Sequence, residues 1–189
     1  YADSTPTKPW RGAMAIPREL SLLEENGRFV VRQRPIPELH ALLDEPETPV
    51  PTESRACAAV AAVFGAGVID LVVPTDGRTA LTVGAAEVRI DDGRVEVHRH
   101  PEANLPPEFG SIQWVDIPQL GSTLDLAIVV DVGSIEVFVD HGRRTITSLA
   151  YHPANEIEVA VTSGTATVTT TALVHGGNGA RSWGQGAVT

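Results

Sequence analysis

The chain has 189 residues, 42% of them hydrophobic and 20% charged, within the range of an ordinary globular protein. Its 14 basic and 24 acidic side chains leave a net charge of −10, which speaks against a nucleic-acid partner and is indifferent to a neutral substrate such as a sugar. No apolar run reaches the roughly 18 residues of a membrane span, the longest being short and alanine-rich near residues 56–64, so no membrane partner is expected.

The sequence opens on Tyr1 rather than Met, without a charged-then-apolar leader, which sets the expectation of a chain that starts after a cut. Residues 13–23 and 28–33 are predicted as two strands across a tight turn at Asn26-Gly27. A lone hairpin is marginal in water, so this one is expected to be a fragment of a larger sheet. Residues 37–43 (PELHALL) predict a turn or two of helix, with Leu39, Leu42 and Leu43 on one face. Residues 44–54 place Pro46, Pro49 and Pro51 among four acidic residues, a linker composition. Cys57 is the single cysteine, which rules out an internal disulfide and a multi-cysteine metal site. Its neighbours Ala56, Ala58, Ala59 and Val60 offer no positive charge to stabilise a thiolate, so it is read as a buried small hydrophobe.

Beyond Cys57, Gly and Pro punctuate runs of Val, Ile, Thr and Phe at short intervals, the pattern of many short strands. The clearest hairpin covers residues 86–99: Val88 and Ile90 alternate with Arg89 and Asp91, Asp92-Gly93 turns the chain, and Val95 and Val97 alternate on the return. Trp114, in a strand over 112–117, is expected in the core. Residues 124–130 and 134–140 are predicted to pair around Asp131-Val132-Gly133. In the second of these, Ile135, Val137 and Val139 share one face, and Glu136, Phe138 and Asp140 the other. Strands over 144–151, 156–162 and 165–173 follow turns at His141-Gly142 and Ser163-Gly164. The pattern predicts an all-β domain, an antiparallel two-sheet β-sandwich. The Gly-rich tail from His175 is expected to be loosely ordered.

Three stretches match a known family. The run from Pro9-Trp10-Arg11-Gly12 through Ala15-Ile16-Pro17-Arg18-Glu19-Leu20-Ser21-Leu22 closely resembles the segment that closes the catalytic propeller of glycoside hydrolase family 32, which includes invertases, levanases, inulinases and related fructosyltransferases. Arg32-Gln33-Arg34-Pro35 with Glu38-Leu39 resembles that family's exit into its linker. Asp131 with Ser134-Ile135-Glu136-Val137-Phe138-Val139, then Gly142 and Thr145-Ile146-Thr147, resembles the signature of its C-terminal sandwich. The matches fall in the family's order and spacing across residues 1–153, while residues 55–120 match nothing diagnostic.

The resemblance implies a five-bladed β-propeller plus a β-sandwich, cleaving fructosyl bonds with retention through an aspartate nucleophile, a glutamate acid/base and a transition-state-stabilising aspartate. Those three lie in propeller motifs, and this sequence holds no Asn-Asp-Pro, Arg-Asp-Pro or Glu-Cys, so no catalytic residue carries over. On this reading residues 1–35 are closing strands of the propeller's last blade, 36–54 a short helix and linker, 55–174 the sandwich and 175–189 a tail. The expected partners are the catalytic propeller portion of the same enzyme, on a separate or missing chain, and a carbohydrate bound through it. No cofactor is expected, and a secreted bacterial setting is, with the cytoplasm left open. Levan, inulin and sucrose stay open as substrates, as do hydrolysis and transfer. The competing reading is an autonomous carbohydrate-binding or structural sandwich, against which the orphan hairpin speaks.

A retaining glycosidase needs two carboxyl groups about 5–5.5 Å apart. Glu136 is the local candidate, but it reads first as an exposed or salt-bridged strand carboxylate. Asp131 and Asp140 flank turns, where Asp bonds locally. Arg18-Glu19 reads as a structural pair within its strand. His98 and His100 share a strand face without a carboxylate–histidine cluster at ligand spacing, so they read as a surface pair and no metal is expected. No Gly-x-Ser-x-Gly elbow supports a serine nucleophile. Sugars stack on aromatic rings. Tyr1 and Trp10 are therefore the candidate substrate-binding residues that the resemblance places at a cleft rim, Trp10 reading first as a packing anchor; Trp183 lies in the tail.

Overall fold

In the computed structural model of the chain the described residues are 5–7, 12–45, 50–53, 61–101, 105–106, 109–117, 121–152 and 156–173. Tyr1, Trp10, Cys57, Trp183 and the Gly-rich tail lie outside them. A hairpin of β1 (Arg18–Glu25) and β2 (Arg28–Pro35) comes first, followed by a 3-10 turn over Pro37–Leu42. Then come β3 (Val50–Glu53), β4 (Ala61–Phe64), β5 (Gly67–Pro74), β6 (Thr79–Val83), β7 (Ala86–Asp91) and β8 (Arg94–Arg99). The chain continues through β9 (Ile112–Asp116), β10 (Thr123–Val130), β11 (Ser134–Val139), β12 (Arg144–Leu149), β13 (Glu156–Ser163) and β14 (Thr165–Ala172).

After the hairpin the strands form two six-stranded sheets, in the orders β12-β11-β10-β5-β14-β3 and β4-β13-β6-β7-β8-β9. Among the described residues every pairing is antiparallel. Alternation decides what is buried between them: Ile69, Leu71 and Val73 of β5 and Ile128 and Val130 of β10 face Val88, Ile90, Val95 and Val97 of β7 and β8 in one core. The turns obey local chemistry, since Asn26-Gly27 and Asp92-Gly93 both take positive φ, as a two-residue hairpin loop requires.

One strand departs from alternation. All six residues of β11 are buried. Ile135, Val137 and Val139 enter the inter-sheet core, while Phe138 on the outer face packs with Val68, Val129, Ile16, Leu39 and Leu43 in a second cluster. The outer face of this sheet is therefore partly covered by the segment that leads into and out of the hairpin.

Four expectations need correction. The first strand begins at Arg18, not at residue 13, just after Pro17, which has no N–H to donate to a ladder. The helix is a 3-10 turn, from which Leu39 and Leu43 pack inward while Leu42 stays exposed. Part of the expected linker is a strand: β3 pairs with Thr165–Val168 of β14 at a sheet edge, where Pro51 is tolerated because an edge leaves one side unpaired. Trp114 is not in the core; Val115 packs inward, so alternation sends Trp114 out, 52% exposed and stacked 3.9 Å from the Arg94 guanidinium.

Candidate functional site

Glu136 stands on the outer face of β11 and is 1% exposed. The Ile16 N–H donates to its Oε1 at 2.8 Å and Arg18 Nη2 donates to its Oε2 at 2.5 Å. Arg18 also donates to Gln33 Oε1 at 2.9 Å and to Thr147 Oγ1, and its guanidinium lies 5.1 Å from the centre of the Phe138 ring. A carboxylate so engaged is a structural anchor, since both its oxygens are taken by the hairpin. Of the two readings open for Glu136, salt-bridged is right and exposed is not. The Arg18-Glu19 pair does not form, because neighbours on a strand point to opposite faces: Glu19 bonds Arg34 at 3.0 Å instead.

More bonds continue this attachment. The Gln33 N–H donates to the Gly142 carbonyl at 2.8 Å, and Arg143 and Arg144 reach Glu25 at 3.7 and 3.3 Å. Gly142 is required where it stands: at φ +84° its hydrogen points at the Gln33 carbonyl, and a Cβ would lie 1.8 Å from that oxygen. The hairpin is thus fixed to the β11–β12 edge of the sandwich. Farther from the anchor, the face that carries Arg18 and Gln33 is bare. Leu22 pairs directly with Val31, Leu20 and Phe29 flank them, and all four are exposed, Leu22 by 67% and Phe29 by 73%.

Below the anchor, the outer face of the same sheet and the 3-10 turn enclose a groove of about 720 Å³. Register places Asp70 beside Ala127 and Asp125 beside Val72, so two carboxylates sit diagonally across an apolar floor. His40 lies near Asp70, and His141 Nε2 is 3.9 Å from Asp125 Oδ2. Burial pushes the Asp70 carboxyl above its usual range and His40 partly offsets this. Elsewhere, Asp131 Oδ1 accepts from the Gly133 and Ser134 N–H groups at 2.7 Å each, the local turn bonding expected of it. His152 Nδ1 accepts from the Ala85 N–H at 3.0 Å, and burial lowers its pKa against the opposing pull of Asp131.

The remaining sequence candidates do not converge on these features. Tyr1 and Trp10 lie outside the described residues. His98 bonds Glu96 at 2.6 Å on the other sheet, and no cluster of three metal-ligating side chains occurs among the described residues. Sequence reasoning missed Asp70, Asp125, His40 and His141 as a group. The alternation of β5 shows that Asp70 and Val72 point outward, but only topology reveals that β5 neighbours β10.

Residues 77–175, slightly more than half of the chain, match the family model described as Glycosyl hydrolases family 32 C terminal. A curated sucrose-6-phosphate hydrolase of Vibrio alginolyticus is 29% identical over 145 residues, covering 75% of this chain and 28% of that protein. Among solved structures, an exo-inulinase from Aspergillus awamori superposes with a TM-score of 0.77 at 21% identity, covering 92% of this chain and 38% of that one. A Bombyx mori GH32 beta-fructofuranosidase gives 0.69 at 20% identity, over 87% of this chain and 33% of its own. The chain therefore spans well under half the length of these relatives, and at such identities the structural likeness shows the fold.

Proposed function

The chain belongs to glycosyl hydrolase family 32, as a C-terminal β-sandwich domain of that family, and from this premise we propose that it carries and positions the closing strands of a catalytic propeller that cleaves fructosyl bonds. One observation supports this most directly: the hairpin is bonded to the sandwich at one end through Arg18 and Glu136 and turns four large apolar side chains to solvent along the rest of its length. A hairpin evolved only to cap the sandwich has no use for an outward stripe of Leu20, Leu22, Phe29 and Val31. Burying those four against a propeller contributes roughly 1.5–3 kcal/mol each before ordering entropy is subtracted. That is enough to hold the two portions together without a covalent link. The catalytic carboxylates belong to the propeller portion, and the sandwich supplies none.

The test is reconstitution. The 189-residue chain is mixed with the propeller portion of its enzyme, and association is followed by size and mass, activity by fructose release from sucrose, levan or inulin. The chain alone releases no fructose, and the mixture does. The double variant Leu22→Asp/Val31→Asp keeps the sandwich folded but fails to associate. Fructose release by the pure chain, or undiminished association of the double variant, would overturn the reading.

A further inference from the structure

We propose that His152 is an acid-sensitive latch between the two sheets: neutral, it holds the turn between β6 and β7 against the segment that follows β12, and protonated it lets that turn go. Its backbone is tied to the first sheet, where the His152 N–H donates to the Val132 carbonyl at 3.3 Å and the Ala150 N–H to the Gly133 carbonyl at 3.0 Å. Its ring reaches the second sheet, where Nδ1 accepts from the Ala85 N–H at 3.0 Å. The approach is close enough to need a glycine beside it. Gly84 holds φ +51°, and a Cβ there would lie 2.3 Å from Nδ1.

A ring nitrogen accepts only while it carries no proton, so this bond requires the neutral imidazole with its proton on Nε2. Protonation turns Nδ1 into a donor that faces another donor. Ala85 is 1% exposed, so its N–H finds water only if the turn moves. Nε2 is buried without a hydrogen-bond partner among the described residues, so the imidazolium gains nothing on its other side. Burial accordingly lowers the His152 pKa, and Asp131 opposes this with an Oδ1 already engaged by the Gly133 and Ser134 N–H groups. The other titratable residues around the ring bring little charge to it. Glu158 of β13 is exposed and meets Gly84 through its carbonyl, His100 meets Ala85 through its N–H, and Tyr151 contributes a hydroxyl. An opened turn therefore takes up the proton at the ordinary histidine pKa of about 6.5, while the closed one resists it to lower pH. The latch is at full strength above that pH and weakens as pH falls below it, until the closed form is protonated too.

Native-state hydrogen exchange of the 189-residue chain, corrected for the intrinsic pH dependence of exchange, tests this at the Ala85 amide. Protection there falls about tenfold between about pH 7.5 and about pH 5, within the ceiling of about thirtyfold that an unperturbed histidine in the opened state allows. Val88 and Val97, inside the β7–β8 pair, keep theirs. His152→Asn places an amide oxygen about where Nδ1 stood, an acceptor that does not titrate, so it retains the Ala85 protection and abolishes its pH dependence. His152→Leu has no acceptor and lowers the protection at both pH values. Ring nitrogen-15 shifts of the unaltered chain decide the matter without any variant: they report the Nε2–H tautomer at about pH 7.5. Ala85 protection that ignores pH, a pH dependence that survives in His152→Asn, unchanged protection in His152→Leu, or an Nδ1–H tautomer would each overturn the proposal. The latch lies before β11 and the hairpin's bond to Gly142 after it, so the two readings stand or fall separately.

Discussion

Glu136→Ala should release the hairpin while leaving the sandwich folded. In the native chain its two oxygens take the Ile16 N–H and the Arg18 guanidinium, and the residue is 1% exposed. Truncating one partner of a buried ion pair costs about 3–5 kcal/mol when the other charge is left stranded. Arg18 is 14% exposed and keeps Gln33 and Thr147 as partners, so the stranded-charge cost falls toward about 2 kcal/mol. The orphaned Ile16 N–H adds about 1 kcal/mol. The sum cannot propagate into the core, because the hairpin can detach instead; the loss is capped at its own docking free energy. Native-state hydrogen exchange reads this directly. Protection of the Gln33 amide, bonded to Gly142, should fall about a hundredfold, at about 1.4 kcal/mol per factor of ten. Val88 and Val97, inside the β7–β8 pair, should exchange as in wild type. Equal loss at Gln33 and Val88 would mean that Glu136 serves the whole fold, and no loss at Gln33 would mean that it anchors nothing; either refutes the reasoning.

Two further outcomes follow from single sites. Gly142→Ala should mimic the Glu136 variant in exchange at Gln33, with a cost of about 1–3 kcal/mol, because the new Cβ meets the Gln33 carbonyl and the backbone must hold φ +84°; unchanged exchange would show that the contact is slack. Asp70→Asn should stabilise the chain against urea at neutral pH, by under about 1 kcal/mol since the carboxylate reaches solvent. Its folded pKa is raised, so the folded state takes up the proton first, and the gain should fade as pH falls through that pKa; a gain that grows in acid would contradict the assignment.

The sandwich was legible because its signals are local. Val88, Ile90, Val95 and Val97 alternate across Asp92-Gly93, and no tertiary information is needed to read that as a hairpin. Trp114 was misplaced for a reason of the same kind: a tryptophan in a strand suggests core until Val115 and Ile117 are seen to claim the inward positions. Pro51 disguised β3, since three prolines in a row of acidic residues look like a linker, and only an edge position lets one of them join a sheet. Glu136 was read correctly as to its face, but its partner is 118 residues away. No spacing rule reaches that far, so the bond that fixes the hairpin had no sequence signal beyond the family likeness. The groove is hidden for the same reason, as it exists only once β5 lies between β10 and β14.

Why a carboxylate should hold the hairpin at all is a separate question, because buried ion pairs are weak contributors to net stability. An apolar pair on β1 and β11 would dock as firmly. What it would not do is fix position, since apolar contacts tolerate sliding. Glu136 binds the Ile16 N–H with one oxygen and Arg18 with the other, two fixed points two residues apart, and these fix where along β11 the stripe of Leu22 and Val31 sits. The double variant Arg18→Met/Glu136→Leu separates holding from positioning. Its thermal stability should lie within about 1 kcal/mol of wild type, as for buried pairs replaced by apolar groups of similar size. Its association with the propeller portion should nevertheless weaken, because a hairpin free to shift along β11 presents its apolar stripe in register only part of the time. Full association by a variant of unchanged stability would show that the ion pair sets no register, and that the packing of Ile16 and Leu39 on Phe138 is sufficient to place the hairpin.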